Sequence, residues 1–174
     1  MLTNDRITTL LNTLDSIESG IILLDGPSGS GKSTLLTKYL KLLSDDNAKT
    51  FAYIPQQGNL FSGSIAENIK FFRNIQDVQL KEAMIGANLN HINVNLEINS
   101  GGEPLSGGER QRLIFARALL ASNKNLIVID EGFSAMDEKN CYEIFNRVVL
   151  LYKKIVFTTH SKELKSRAEH IIAI

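Results

Sequence analysis

Nine consecutive residues, Gly26-Pro27-Ser28-Gly29-Ser30-Gly31-Lys32-Ser33-Thr34, carry the densest chemistry in the chain. They fit the pattern G-x-x-x-x-G-K-[ST], whose glycines let successive backbone N–H groups converge on an anion. A helix starting at Lys32 would add its positive end to the same spot. Lys32 brings a compact charge for the outer phosphates of a nucleotide, and the Ser33 hydroxyl is a hard oxygen donor for Mg2+.

Two acids, Asp130 and Glu131, close the apolar run Leu126–Ile129. A buried strand hides its apolar residues and delivers such acids at its carboxyl end. There Asp130 can hold Mg2+ and Glu131 can act as general base toward a water attacking phosphorus. Taken alone, the pair also fits a solvated strand end; a phosphate loop upstream is what favours the catalytic reading. Further along, Leu105-Ser106-Gly107-Gly108-Glu109-Arg110-Gln111-Arg112 sets a serine and two glycines ahead of a helix. That is a second place where N–H groups and a hydroxyl can face an anion.

These motifs need a scaffold of strands ending in loops. Ile21–Leu24, Thr50–Ile54, Leu126–Ile129, Ile155–Thr158 and Ile171–Ile174 read as strands. Helical stretches alternate with them: about Lys32 to Leu43, Ser64–Phe72, Asp77–Asn88, Gly107–Leu120, Glu138–Leu151 and Lys162–Ala168. Asn90–Glu103 is polar and reads as irregular. Apolar strands alternating with helices predict an α/β fold with a largely parallel sheet, and ligands at the carboxyl ends of its strands.

The bulk properties exclude several classes. The 174 residues suit one domain, and 19 basic against 19 acidic side chains give no net charge that would favour nucleic acid or an anionic membrane surface. A single cysteine, Cys141, rules out an internal disulfide and fits a reducing compartment. The N-terminal residues lack a signal-peptide pattern, and the apolar runs are far too short to cross a bilayer. A membrane role must therefore come through a partner rather than through direct insertion.

The octet from Leu105 to Arg112 resembles the LSGGQ signature of ABC (ATP-binding cassette) ATPases, with Glu109 in place of the usual glutamine. Other motifs follow in the family's order. Gly26–Thr34 resembles Walker A, and Leu126–Glu131 resembles Walker B. Gln56, after Tyr53-Ile54-Pro55, occupies the place of the Q-loop glutamine, and the Leu60-Phe61 pair downstream favours it over Gln57. Ser134-Ala135-Met136-Asp137 resembles the D-loop, and Thr158-Thr159-His160-Ser161 the H-loop, while His91 and His170 read as ordinary structural histidines. The segment Gly58–Ile69 looks like that of the exporter branch, where it contacts a transmembrane domain; a turn and a Ser64-capped amphipathic helix account for the same residues.

The resemblance implies a P-loop NTPase three-layer core with a mostly parallel sheet and a helical, signature-bearing subdomain. It implies one ATPase domain over residues 1–174, with a core of about 21–56 and 106–174 and a helical subdomain of about 62–105. ATP and Mg2+ are the implied cofactors. Lys32, Gln56, Glu131 and His160 would be catalytic, and Ser33, Gln56 and Asp130 would face the metal. Gly26 through Thr34, Gln56 and Asp137 would line the nucleotide, covered by Ser106, Gly107, Gly108 and Glu109 of a second subunit. The implied partners are a second cassette, identical or not, and a transmembrane domain at the cytoplasmic face of a membrane. The implied work is transport, in the exporting direction. A soluble ABC ATPase of a non-transport process, or a regulatory cassette of an asymmetric dimer, are the alternatives.

The chain also departs from the family. Only 25 residues precede the phosphate loop, none of them aromatic, and Tyr39 is the first aromatic. The family's antiparallel strands with an adenine-stacking aromatic are therefore expected to be reduced or absent. Ile7, Leu10, Leu11, Leu14 and Ile17 have helical spacing instead. Weaker discrimination between ATP and GTP follows.

Overall fold

The computed structural model describes residues 3–46, 49–120 and 125–174. Contacts divide the chain into two compact units. The first takes in Met1–Tyr53, Asn123–Glu131 and Tyr152–Ile174; the second takes in Ile54–Ser122 and Gly132–Leu151.

The first unit is built on a five-stranded sheet. Its strands are β1 (Gly20–Asp25), β2 (Phe51–Ile54), β5 (Leu126–Asp130), β6 (Lys154–Thr158) and β7 (His170–Ala173), in the spatial order β2-β5-β6-β1-β7. β1 pairs in parallel with β6 and β7, and β5 pairs in parallel with β6. Every residue of β5 and β6 is buried, as expected of strands covered on both faces. The register sets Asp130 directly opposite Thr158, so both strands end at the same level.

Two helices cover one face of this sheet. Helix α1 (Asn4–Ser16) starts at Thr3, whose hydroxyl accepts from the Arg6 N–H. It points Ile7, Leu10 and Leu14 inward, an i, i+3, i+7 stripe. Helix α2 (Lys32–Asp45) turns in Leu35, Leu36, Tyr39 and Leu43. These side chains form one core with Ile22, Leu24, Leu126, Val128, Val156 and Ile172. Leu14 is fully buried, so Leu14→Ala would cost about 2–5 kcal/mol. A polar tie locks the helices to the strand entrance: Lys154 Nζ donates to the Leu14 carbonyl at 2.6 Å and to the Tyr39 hydroxyl at 3.1 Å. Burial lowers the Lys154 pKa and pushes the Tyr39 phenol up to about 12. Tyr39, the first aromatic of the chain, is thus a core residue.

The second unit is mainly helical: α3 (Ile65–Lys70), α4 (Asp77–Gly86), α5 (Gly107–Leu119) and α6 (Glu138–Leu151). A short helix, α7 (Lys162–Lys165), belongs to the first unit. The fold class read from the sequence is the observed one. In the second unit two-residue strands, β3 (Gly63–Ser64) and β4 (Glu97–Ile98), pair antiparallel. β4 lies inside the stretch expected to be irregular. α3 also stops earlier than the helical spacing predicts. Phe71 and Phe72 leave it with φ of 45° and 61°; their rings gather with Phe61, and the Arg117 guanidinium lies over Phe61 and Phe71.

Candidate active site

The phosphate loop begins where β1 ends. The Asp25 carboxylate takes a 2.6 Å contact from Lys165 Nζ, which holds its pKa below the ordinary value. An acid at the mouth of the loop is thereby neutralised. The Asp25 carbonyl accepts from the Ile174 N–H, and a Cβ on Gly26 would lie 2.8 Å from the Ile174 carbonyl. Gly31 sits at φ 102° as the N-cap of α2, and no side chain caps that helix. Lys32 is buried. Its Nζ donates to the carbonyls of Gly26 at 2.8 Å and Pro27 at 2.9 Å, which folds the charge over its own loop. Ser30 Oγ is buried without a hydrogen-bond partner among the described residues. A buried orphan hydroxyl, a lysine and an uncapped helix start fit a phosphate group. Ser28, Ser33 and Thr34 are exposed beside them.

Thr158 joins the acids at the ends of β5 and β6. Its hydroxyl donates to Asp130 Oδ1 at 2.9 Å and accepts from the Glu131 N–H at 2.8 Å. Asp130 is 6% exposed, so this partner offsets its desolvation. Its charge, after burial itself, raises the pKa of the Tyr53 phenol. Glu131 is held at φ 49°, a left-handed conformation costing about 1–3 kcal/mol for a residue with a Cβ. His160 Nε2 lies 3.1 Å from Glu131 Oε1. An ionised carboxylate only accepts, so Nε2 is the donor and the two groups can share the handling of a water proton. In the sequence Thr158 opens the H-loop motif but carries no role of its own there; its place at the end of the buried run Ile155–Phe157 is the signal for one.

The second unit presents the signature residues. Ser106 caps α5 with its hydroxyl on the Glu109 N–H at 3.3 Å. Glu109 Oε2 returns to the Ser106 N–H at 2.8 Å and to the Ser106 Oγ at 2.7 Å. Those bonds, with a further one from His91, hold the Glu109 carboxyl down to about 2. Ser106 and Gly107 are exposed, while a Cβ on Gly108 would lie 3.1 Å from the Ala135 carbonyl. Asp137 accepts from the Asn140 N–H and Nδ2, which lowers its pKa. Gln56 is exposed, and the carbonyl of its neighbour Pro55 accepts from Gln111 Nε2 on α5 at 3.2 Å. The predicted residues thus fall into two sets. Gly26–Thr34, Asp130, Glu131 and His160 lie in the first unit; Gln56, Ser106–Glu109 and Asp137 lie in the second. His91, read as an ordinary structural histidine, sits 3.1 Å from Glu109 Oε1.

Known proteins supply an independent comparison. The family model described as ABC transporter matches residues 13–134, more than half of the chain. A protein named as an export ATP-binding/permease protein of Rickettsia typhi is 31% identical over 86% of the chain, which spans 30% of that relative. An ATP-dependent lipid A-core flippase of Colwellia psychrerythraea is 33% identical over 86% of the chain and again 30% of the relative. The chain therefore spans under a third of the length of these curated relatives. In the solved structures, a bacterial Atm1-family ABC exporter with ATP bound shares the fold with a TM-score of 0.76 at 24% identity, covering 89% of the chain and 32% of the exporter chain.

Proposed function

Because this chain belongs to the ABC transporter family and is an ATP-binding P-loop ATPase of the ABC type, we propose that it hydrolyses ATP with Mg2+ at the interface of a dimer and so powers export through a transmembrane partner. Both units would act as parts of one ATPase domain. The observation that carries the reading is the chain of contacts Asp130–Thr158–Glu131–His160, in the same unit as the phosphate loop.

Catalysis is mostly positioning and charge stabilisation around the γ-phosphate. Lys32 and the loop amides carry the phosphate charge once Lys32 exchanges its loop carbonyls for phosphate oxygens. The Ser33 hydroxyl, Asp130 and the Gln56 amide oxygen would be the donors for Mg2+, a hard ion that takes few protein ligands and would supply Lewis-acid stabilisation when bound. Glu131 takes a proton from the attacking water, and His160 holds the Glu131 carboxylate and contacts the γ-phosphate. Ser106, Gly107, Gly108 and Glu109 of a second copy or a similar cassette cover that phosphate, with Asp137 crossing the same interface. Loss of the bridging phosphate on hydrolysis releases the halves, which is the step that can drive work.

The transmembrane partner is supported by an aromatic patch that joins Phe61 of the exporter-like segment to Phe71 and Phe72 just beyond its end. Phe72 is 89% exposed and stacks on Phe61 at 5.3 Å, with Phe71 alongside. Among the described residues no helix is long and apolar enough to cross a membrane, so attachment at the cytoplasmic face would run through this patch.

Glu131→Gln tests the reading. The variant keeps the backbone and removes the base. It is expected to bind ATP, to lose turnover by roughly 10^2- to 10^4-fold and to accumulate as a dimer in light scattering. Full turnover would remove Glu131 from its role. A pull-down from membranes tests the transport arm: a co-purifying membrane protein that Phe72→Asp releases supports it, and persistence of that partner in Phe72→Asp contradicts the docking surface.

A further inference from the structure

The second unit contains two capping boxes of the same build. In one, the Ser64 hydroxyl accepts from the Glu67 N–H at 3.2 Å, and Glu67 Oε2 accepts from the Ser64 N–H and Oγ at 2.7 Å each. In the other, Ser106 and Glu109 repeat these bonds at 3.3, 2.8 and 2.7 Å. The boxes differ in what reaches the glutamate. Glu109 Oε1 meets His91 Nε2 at 3.1 Å across a gap of 18 residues, and Arg112 acts on the same carboxylate through space. Arg112 is 8% exposed, and its Nε has no hydrogen-bond partner among the described residues.

This matters because of where the serine proton points. A hydroxyl has one proton, and that of Ser106 lies on Glu109 Oε2. A hydroxyl so committed turns only lone pairs outward, and the carboxylate behind it repels an approaching phosphate. For Ser106 to donate to a γ-phosphate oxygen, its proton must leave Oε2 and the carboxylate charge must be offset. The His91 N–H does the second and competes for the first, since it draws on the same carboxylate from its other oxygen.

We propose that His91 is a positioning residue for the signature serine: its N–H on Glu109 Oε1 holds and offsets the carboxylate so that the Ser106 hydroxyl can be handed from Oε2 to the phosphate of a facing nucleotide. The inference rests on the reading that Ser106 faces ATP. It assigns a purpose to the glutamate that stands in the signature where the family has glutamine. A carboxylate there needs a partner that a neutral amide does not.

The test crosses His91→Ala and His91→Gln with Glu109→Gln and measures steady-state ATPase. His91→Ala is expected to raise KM for ATP roughly two- to fivefold with kcat little changed, the pattern of lost uniform binding at an exposed polar pair. His91→Gln, which keeps a donor, restores the wild-type KM, and in the Glu109→Gln background His91→Ala has no effect on KM. An equal effect of His91→Ala in both backgrounds, or none in either, overturns the proposal. A wild-type chain with no ATP turnover would instead sink the function on which it rests. NMR of the glutamate carboxyl carbons decides the contact without turnover: His91→Ala should raise the Glu109 midpoint part of the way, the larger Ser106 contribution remaining, while Glu67 stays fixed. An unmoved Glu109 midpoint removes His91 from the role.

Discussion

Two helices of this chain begin at motifs proposed to bind phosphate, and they begin differently. α2 starts at Gly31 in the left-handed region with no side-chain cap, beside a buried serine hydroxyl that has no partner among the described residues and a lysine folded over its own loop. α5 starts at Ser106, whose hydroxyl is already spent in a box with Glu109. The first start is preorganised for a ligand and depends on it for satisfaction. The second satisfies itself and must exchange an internal bond for an external one. A site of the first kind binds strongly by itself. A site of the second kind binds weakly and suits a contact that has to form and break in each cycle.

Breaking the first start should have the larger consequence. Lys32→Ala removes a charge-assisted donor and is expected to weaken ATP binding roughly 10- to 100-fold, read by titration with a fluorescent ATP analogue. Unchanged affinity would mean that the loop does not hold the phosphates. Ser106→Ala sharpens the comparison, because Ser64→Ala serves as its control. Each loses a cap worth about 1 kcal/mol, a drop of about 2–4 °C in Tm. Only Ser106→Ala should also slow ATP turnover; equal turnover in the two variants would erase the distinction drawn between the boxes.

A smaller effect lies in acid. The Glu109 pKa is lowered from 4.5 to about 2, first by the Ser106 hydroxyl and N–H and then by His91. A depressed carboxyl contributes stability that is full above about pH 4.5 and is lost as pH falls through about 2. Glu109→Gln should therefore flatten the fall of Tm across that window, and an unchanged slope would mean that the box is not formed in solution. The smallest expected effect concerns the base. Residues 3–25 contain no aromatic and Tyr39 is locked in the core, so nothing aromatic in that stretch stacks on adenine. Parallel ATP and GTP titrations are expected to give similar affinities, and a large preference for ATP would contradict this.

The sequence reading reached the two starts unequally, for a physical reason. The phosphate loop is contiguous, so its glycines, Lys32 and Ser33 declare themselves in nine residues, and the strand–loop–helix order follows from the flanking apolar runs. The α/β sheet was legible for the same reason: β5 is apolar until Asp130, and β6 is apolar from Ile155 until Thr158. His91 was not legible as a partner of Glu109. Its contact depends on how the loop after α4 returns to α5, which no local pattern encodes. The strand β4 carries two residues, too few for a period of two to register. The early end of α3 depends on Phe71 and Phe72 adopting positive φ, which bulky residues do only where packing enforces it.

Glu131 carries one further consequence. Its left-handed backbone is the conformation that glycine occupies without penalty. A Glu131→Gly change would relax the main chain while deleting the proposed base, so the substitution that this conformation favours would also be the one that ends the proposed hydrolysis.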